Sequence, residues 1–175
     1  MSHDDSEMRL ANGDDAARPS IGRSILRWLW RTPVQTFILC PLCVIVFELA
    51  LQGGALAIWP WGTLLLAWGY LQYLLVGRYR LPRAGGVAGM EKPPDRILAQ
   101  GPYRFVRNPM YLGHLIFMTG LVLTFQSWFA LALLVARTMW FHGRVLEDET
   151  RLRHIFGTDY TAYCARVKRW IPGLL

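Results

Sequence analysis

Two charged clusters, each at the edge of an apolar stretch, have the residue types to bind a ligand that carries both charge signs. The first cluster contains Arg104 and Arg107, followed by Asn108 and Pro109. Asn is a preferred helix N-cap and Pro is preferred at the first helical position, so a helix is predicted to begin here. The free N–H groups of that helix start favour an anionic ligand group, as do the arginines. The alternative is a basic helix start that binds no ligand.

The second cluster is acidic and consists of Glu147, Asp148 and Glu149. The segment 144–156 contains no helix breaker before Gly157, so residues 128–156 are predicted to form one helix about 43 Å long. Such a helix is longer than a hydrocarbon core of about 30 Å, so the acidic cluster is expected to emerge on the side where the basic cluster lies. The alternative is a solvated helix whose charges form surface ion pairs.

Two ionisable residues, Glu48 and Arg137, fall inside apolar stretches, where charged groups are paired or functional by default. They either form an ion pair between helices or line a polar cavity for a substrate. His114 is a candidate for the wall of such a cavity, whereas His142 is predicted to point to a different helix face from Arg144.

The cysteines predict neither a redox centre nor a disulfide framework. Cys40 and Cys43 are separated by two residues, but they lie in an apolar stretch without a cationic neighbour that would lower a thiol pKa. Ordinary packing is the better interpretation, and Pro41 is expected to kink the helix. Since no group of Cys, His and carboxylate residues has metal-ligand spacing, we expect no metal.

The composition favours a membrane protein over a soluble globule. The chain has 175 residues, of which 53% are hydrophobic and 18% charged, and its net charge is +7. The basic residues crowd into the segments between and beyond four apolar stretches, so membrane lipid is the expected partner and nucleic acid is not. Each stretch is close to the ~20 residues that one bilayer crossing needs. The predicted fold is an all-α polytopic membrane protein with about four transmembrane helices, near residues 34–52, 56–76, 109–125 and 128–146.

The distribution of Lys and Arg predicts the orientation of these helices. The short connections 52–55 and 126–127 contain neither residue, whereas the tails and the central loop are basic. Both termini and the ligand-binding region are therefore expected to face the cytoplasm of a multi-pass protein, with a bacterial inner membrane as the predicted location. Trp59, Trp61 and Trp128 are expected to anchor the opposite side. The connection 126–127 also predicts a tight antiparallel helical hairpin.

The remaining segments differ in character from the apolar stretches. Residues 1–20 are predicted to form a disordered cytoplasmic tail, and residues 21–175 a single membrane domain that begins with a short basic amphipathic stretch. The segment 78–107, rich in Gly and Pro, is predicted to be a long loop, and loops of that length are usually either functional or disordered.

A short amphipathic helix is expected after Gly157, with Tyr160, Tyr163 and Val167 on one side. Pro172-Gly173 is predicted to end this helix. The segment either anchors the chain at the membrane surface or helps to close the ligand site, and both roles are compatible.

The C-terminal half of the chain, from about Asp95, resembles the superfamily of membrane methyltransferases that contains isoprenylcysteine carboxyl methyltransferase and phosphatidylethanolamine methyltransferase. Two joined motifs in the right order between the right helices carry this resemblance. The first motif comprises Gly101-Pro102-Tyr103, Arg107-Asn108-Pro109, Tyr111 and Gly113. The second comprises Arg144, Asp148-Glu149, Leu152, Phe156-Gly157, Tyr160, Tyr163, Val167, Arg169, Ile171 and Pro172.

The resemblance implies S-adenosyl-L-methionine as the methyl donor, bound by a cytoplasmic loop and the acidic end of the last helix. It implies that Arg144 faces the substrate and the reaction centre. Two positions depart from the family pattern, which usually has His at Asn108 and Glu at Asp148, and both replacements can still form hydrogen bonds. By position the implied cofactor-binding residues are Tyr103, Arg107, Asn108, Pro109, Met110, Tyr111, Gly113, Asp148 and Glu149.

The implied function is methyl transfer to a lipophilic acceptor, either a small molecule or a lipid-modified substrate. A carboxyl, amine or thiol group of the acceptor fits equally. The alternative is a catalytically inactive membrane binding or scaffold protein of the same fold. A small transporter is disfavoured, since few polar residues lie at mid-depth. The oligomeric state is left open, and Gly113 and Gly120, seven residues apart, are the small residues that stand out on a helix face.

Overall fold

The computed structural model describes residues 28–51, 54, 56–84 and 95–170. The chain divides into two compact units, Met1–Gln35 and Thr36–Leu175. In the described part all regular structure is helical apart from one parallel β-bridge between Val106 and Lys168, so the all-α prediction is confirmed. The predicted tail, most of the amphipathic stretch that follows it, and the predicted stop at residues 172–173 lie outside the described residues.

The N-terminal unit contributes a short α-helical turn at Thr32–Val34, and a π-helical turn follows at Gln35–Leu39. Pro41 lies just beyond it, and because proline has no N–H, the carbonyl of Phe37 cannot accept its usual helical bond. The wider π-turn lies where the sequence predicts a distortion. The remaining helices are α1 Cys40–Leu51, α2 Pro60–Ala84, α3 Pro109–Phe125 and α4 Trp128–Arg166, with a 3-10 turn at Gly101–Arg104.

Helix α2 differs from the prediction at both ends. Residues 56–59 are irregular because Pro60 sets the first helical turn and disfavours helix in the residue before it. At the other end the helix continues through Arg80 to Ala84, so the predicted loop begins later than residue 78. Pro82 lies in the last turn of the helix, where it has no N–H to donate to the carbonyl of Arg78.

Glycine residues let α2 and α3 pack with their backbones in close contact. A Cβ atom on Gly120 would lie 2.7 Å from the backbone N of Leu66, and one on Gly113 would lie 3.0 Å from the carbonyl O of Gly69. The amide of Gln72 donates to the carbonyl of Pro109 at 3.1 Å, which fixes the start of α3 on α2. The seven-residue spacing of Gly113 and Gly120 therefore belongs to a contact within the chain.

A two-residue connection joins α3 to α4, as predicted. Gln126 adopts a left-handed conformation with φ 47°, and the Ser127 hydroxyl accepts a hydrogen bond from the N–H of Ala130 at 3.1 Å. Ser127 thus caps α4 while the chain reverses. The core at this end consists of Cys40, Val44, Met118, Leu121 and Ala130, from α1, α3 and α4.

Gly157 breaks the regular geometry of α4, with φ 54° and ψ −124°, which confirms the predicted break. The segment beyond it packs Tyr160, Tyr163 and Val167 into one buried cluster, as the pattern predicts. The helical part ends at Arg166 rather than at residues 172–173, because Val167 turns extended to enter the β-bridge.

Two of the described helical segments, Thr32–Leu51 and Trp128–Arg166, are long and apolar enough to cross a membrane. Pro109–Phe125 is apolar but shorter.

Candidate functional site

An open cleft, about 810 Å³ in volume when the solvent space at its mouth is included, lies where the loop before α3, the first turn of α3 and the second half of α4 meet. Seven of the nine predicted cofactor-binding residues line it, and Pro109 and Gly113 do not. The full lining is Arg80, Ile97, Leu98, Tyr103, Arg107, Asn108, Met110, Tyr111, Asp148, Glu149, Arg151, Leu152, Phe156, Tyr160 and Tyr163.

The carboxylate of Glu149 is 2% exposed and binds three arginines. Arg169 contacts it through two nitrogens, at 2.9 and 2.8 Å, while Arg107 approaches to 3.2 Å and Arg153 to 3.4 Å. A buried carboxylate is stable only when paired in this way. These arginines already occupy both oxygens, so Glu149 offers no free carboxylate to the cleft and is joined to it by its pairing with Arg107.

Backbone contacts tie the C-terminal segment to the loop before α3. The N–H of Arg107 donates to the carbonyl of Lys168 at 2.9 Å, and the hydroxyl of Tyr163 donates to the carbonyl of Tyr103 at 2.7 Å. Asn108 occupies the N-cap position of α3, as predicted, but its side chain makes no cap hydrogen bond. Its amide instead donates to the carbonyl of Arg169 at 3.4 Å, so this residue also holds the C-terminal segment.

Asp148 differs from its neighbour in how its oxygens are used. One oxygen accepts a hydrogen bond from the hydroxyl of Tyr111 at 3.3 Å, and the other pairs with Arg151. Tyr111 itself is buried and packs on the ring of Phe141, with ring centroids 4.9 Å apart. Asp148 therefore presents an oriented, partly exposed carboxylate at the cleft, which suits a cationic ligand group.

Arg107, which lines the same cleft, has an unsatisfied buried donor. Its side chain is 10% exposed, and its Nε has no hydrogen-bond acceptor among the described residues. A buried N–H of a charged group without an acceptor is costly, so an anionic oxygen at this point would be stabilised.

Aromatic and aliphatic side chains form the rest of the wall. Burial raises the pKa of Tyr103 to about 12 and raises the pKa of Tyr160 and Tyr163 as well, so all three hydroxyls are neutral at physiological pH. The hydrogen bond to Glu149 raises the pKa of Arg169. The cleft thus combines charged groups with an apolar surface suited to a flat ring.

The remaining candidates lie outside the cleft lining. The carbonyl of Pro109 accepts from Gln72, and Gly113 packs on α2. Arg144 lies one helical turn before Asp148, with a nitrogen 3.8 Å from Glu147, and it interacts electrostatically with the Tyr111 hydroxyl. His142 is exposed and does not line the cleft.

The polar residues inside the apolar helices form a separate group. His114 is buried between the rings of Phe37 and Phe141, at centroid distances of 4.7 and 5.4 Å, and does not line the cleft. Arg137 interacts electrostatically with both His114 and Cys40. Glu48 is buried. Among the described residues no group of three His, Cys, Asp or Glu side chains is placed to hold a metal ion.

Several lining residues were missed by sequence reasoning. Leu152, Phe156, Tyr160 and Tyr163 belong to the second motif, which was a usable signal for their place in the wall. Arg80 gave none, because it lies in a segment predicted to be loop and found in α2.

Comparison with protein families matches residues 57–159, more than half of the chain, to the family described as phospholipid methyltransferase. Among curated proteins, protein-S-isoprenylcysteine O-methyltransferase B of Arabidopsis thaliana is 31% identical over 78 residues. These residues are 44% of this chain and 40% of that protein. The chain therefore matches about two-fifths of the length of this relative.

Proposed function

We propose that this chain, which belongs to the phospholipid methyltransferase family, transfers a methyl group from S-adenosyl-L-methionine to a lipophilic acceptor at a membrane surface. The observation that carries the proposal is the cleft itself. It is lined by the carboxylate-bearing Asp148, by Arg107, whose buried Nε has no acceptor in the described part of the chain, and by an apolar wall. These three features match the parts of the methyl donor, which has a cationic end, a carboxylate and a flat base.

The residues present fit this cofactor in both charge and shape. Asp148 would hold its ammonium group, and Arg107 would bind its carboxylate beside the N-terminus of α3. The wall formed by Leu152, Phe156 and Tyr160 would take the adenine. When bound, the cofactor supplies a methyl group already activated by a sulfonium, so the reaction requires no strong acid or base from the chain. The chain has to orient the acceptor and exclude water.

Arg144 is proposed to bind and orient the acceptor. It lies one turn from Asp148 on α4, towards the apolar part of that helix, and reaches the Tyr111 hydroxyl. A guanidinium there would hold a carboxylate by charge-assisted hydrogen bonds. The name of the Arabidopsis relative specifies an isoprenylcysteine and O-methylation. We propose that this chain also methylates a lipophilic or lipid-modified acceptor. Acceptors with a carboxyl group should be tested first, and those with an amine or a thiol next.

The proposed setting is a multi-pass membrane protein with four helical crossings and a cytoplasmic active site. Support comes from the apolar lengths of Thr32–Leu51, Pro109–Phe125 and α4. Exposed tryptophans at the end of α3 that lies opposite the cleft also support this membrane setting. The N–H of Trp59 donates to the carbonyl of Thr124 at 2.8 Å, and Trp128 begins α4 two residues after α3 ends. A lipophilic acceptor would then enter from the bilayer and the cofactor from water.

Calorimetry of S-adenosyl-L-methionine binding to the detergent-purified chain tests the proposal. The wild type is expected to bind, and Asp148→Ala to lose binding, because the cationic end of the cofactor loses its partner. Glu147→Ala is the matched control, since it removes an acid from the adjacent position that is 74% exposed. Absence of wild-type binding at millimolar cofactor would overturn the proposal and favour a non-catalytic membrane scaffold of the same fold.

A further inference from the structure

The loop that leads into α3 exposes an aromatic side chain among cations. Phe105 is 60% exposed, while the next residue, Val106, is buried. Arg104 precedes it on the 3-10 turn and is exposed, as is Lys168, which pairs with Val106 in the β-bridge. The fold therefore exposes one large apolar side chain close to two positively charged residues.

The end of α2 adds a third cation to this surface. The guanidinium of Arg83 stacks on the ring of Tyr79, 4.2 Å from its centroid. A Cβ atom on Gly101 would lie 2.7 Å from the Tyr79 hydroxyl oxygen, so the 3-10 turn that carries Arg104 rests on the same side chain. In the described part of the chain no salt bridge involves Arg83, Arg104 or Lys168. We call Arg83, Arg104, Phe105 and Lys168 the basic aromatic patch.

We propose that the basic aromatic patch docks on the anionic surface of the lipid bilayer, with the ring of Phe105 inserted at the headgroup level and the three cations against lipid phosphates. The inference rests on the membrane setting of the proposed function, in which the adjoining ends of α2 and α3 lie at the cytoplasmic surface. Charge complementarity selects an anionic occupant, and an exposed aromatic ring among cations is suited to the boundary between headgroups and acyl chains.

Docking of the patch has a consequence for the cleft. Tyr103 and Arg107 line the cleft and lie within two residues of Phe105. A patch held at the bilayer surface therefore keeps the cofactor wall next to the lipid phase from which the acceptor comes. Each cation near an anionic surface strengthens such an attachment about fivefold.

Hydrogen exchange of the full chain in lipid nanodiscs tests the docking without any methyl-transfer readout. The measured quantity is the exchange rate of backbone amides in residues 101–107. Nanodiscs of phosphatidylcholine are compared with nanodiscs in which about one third of the lipid is phosphatidylglycerol. Arg104→Gln and Phe105→Ser test the charge and the ring, and Arg31→Gln is the matched control, because it removes one charge from an exposed residue of the N-terminal unit.

We expect exchange of the wild type to be at least about fivefold slower in the anionic nanodiscs, and the slowing to weaken in about 0.5 M NaCl. The slowing should be lost in Arg104→Gln and Phe105→Ser and kept in Arg31→Gln. Equal exchange in the two lipid compositions would overturn the proposal. A slowing that persists in both patch variants would also overturn it.

Flotation with liposomes after a carbonate wash separates this proposal from the membrane setting on which it rests. Retention of the chain with equal exchange in both lipids would reject the docking alone. Release of the chain by carbonate would overturn both.

Discussion

Arg169 binds Glu149 through two nitrogens across twenty residues of sequence, with Nε 2.9 Å from Oε1 and Nη2 2.8 Å from Oε2. This bidentate pair is among the stronger charge-assisted arrangements in proteins. Because Arg107 pairs with the same carboxylate, this one buried group of α4 joins the C-terminal segment to the loop that precedes α3. The stability of this end of the molecule therefore depends on Glu149.

Glu149→Gln should lower the free energy of unfolding by about 3–5 kcal/mol, because it leaves buried arginine charge without its partner. Thermal unfolding of the detergent-purified chain measures the effect. Glu147→Gln removes an exposed carboxylate two positions earlier and should change the free energy of unfolding by no more than about 0.5 kcal/mol. Equal melting temperatures for the two variants would contradict the central role of Glu149.

Arg107→Lys should weaken binding of S-adenosyl-L-methionine about tenfold or more, because lysine lacks both the unsatisfied Nε donor and the planar guanidinium of this cleft-lining residue. Binding of 5′-methylthioadenosine, which has no amino-acid part, should change much less. Calorimetry with both ligands distinguishes a lost carboxylate contact from a disturbed cleft. If both affinities fall equally, Arg107 does not bind the carboxylate.

Arg144→Ala should abolish methyl transfer while leaving cofactor affinity within about twofold, since Arg144 lies outside the cleft lining and is proposed to hold the acceptor. Transfer of a radiolabelled methyl group to a lipophilic carboxylate measures the first quantity, and calorimetry measures the second. A parallel loss of transfer and cofactor binding would sink the acceptor role.

Gly120→Ala should destabilise the chain by about 1–3 kcal/mol, because the added Cβ would lie 2.7 Å from the backbone N of Leu66. Gly77→Ala is the matched control within α2, where a Cβ meets nothing within 4 Å and alanine favours the helix. It should be neutral or stabilising by up to about 1 kcal/mol. Similar unfolding temperatures for the two variants would argue against backbone contact between α2 and α3.

Tyr103 predicts a loss of stability at alkaline pH. Its pKa is about 12 in the folded chain and 10 in the unfolded chain, so the unfolded state releases the phenolic proton first. The contribution of this residue is complete below pH 10 and is lost as the pH rises to about 12. Chemical unfolding at pH 9 and pH 11 should show a smaller loss of stability in Tyr103→Phe than in the wild type. Equal losses would assign the alkaline sensitivity to other tyrosines.

The proximity of the two charged clusters could be predicted, because it follows from the lengths of the helices and of the connection between them. A helix rises 1.5 Å per residue, so the length of α4 places Asp148 near the first turn of α3 once their connection is known to be short. Ser127 and Pro109 mark the two helix starts by ordinary capping chemistry. These signals are local, and the structure follows them.

The roles within the clusters could not be predicted from local signals. Asp148 and Glu149 are adjacent acids, and which of them is buried depends on about 100° of rotation around α4, set by its packing. Gly113 belongs to the first motif but lies on the face of α3 that packs on α2. Val167 fits a helical pattern, yet pairing of the next residue with Val106 draws its backbone into an extended conformation.

The three arginines around Glu149 also limit how this sequence can change over time. Loss of the acid alone leaves several positive charges close together, and loss of Arg169 alone removes the bidentate half of the pairing. A substitution at one of these positions is therefore expected to be selected against unless another of them changes as well. Positions 107, 149 and 169 should be inherited as a unit, although the last lies beyond the stretch that matches the family.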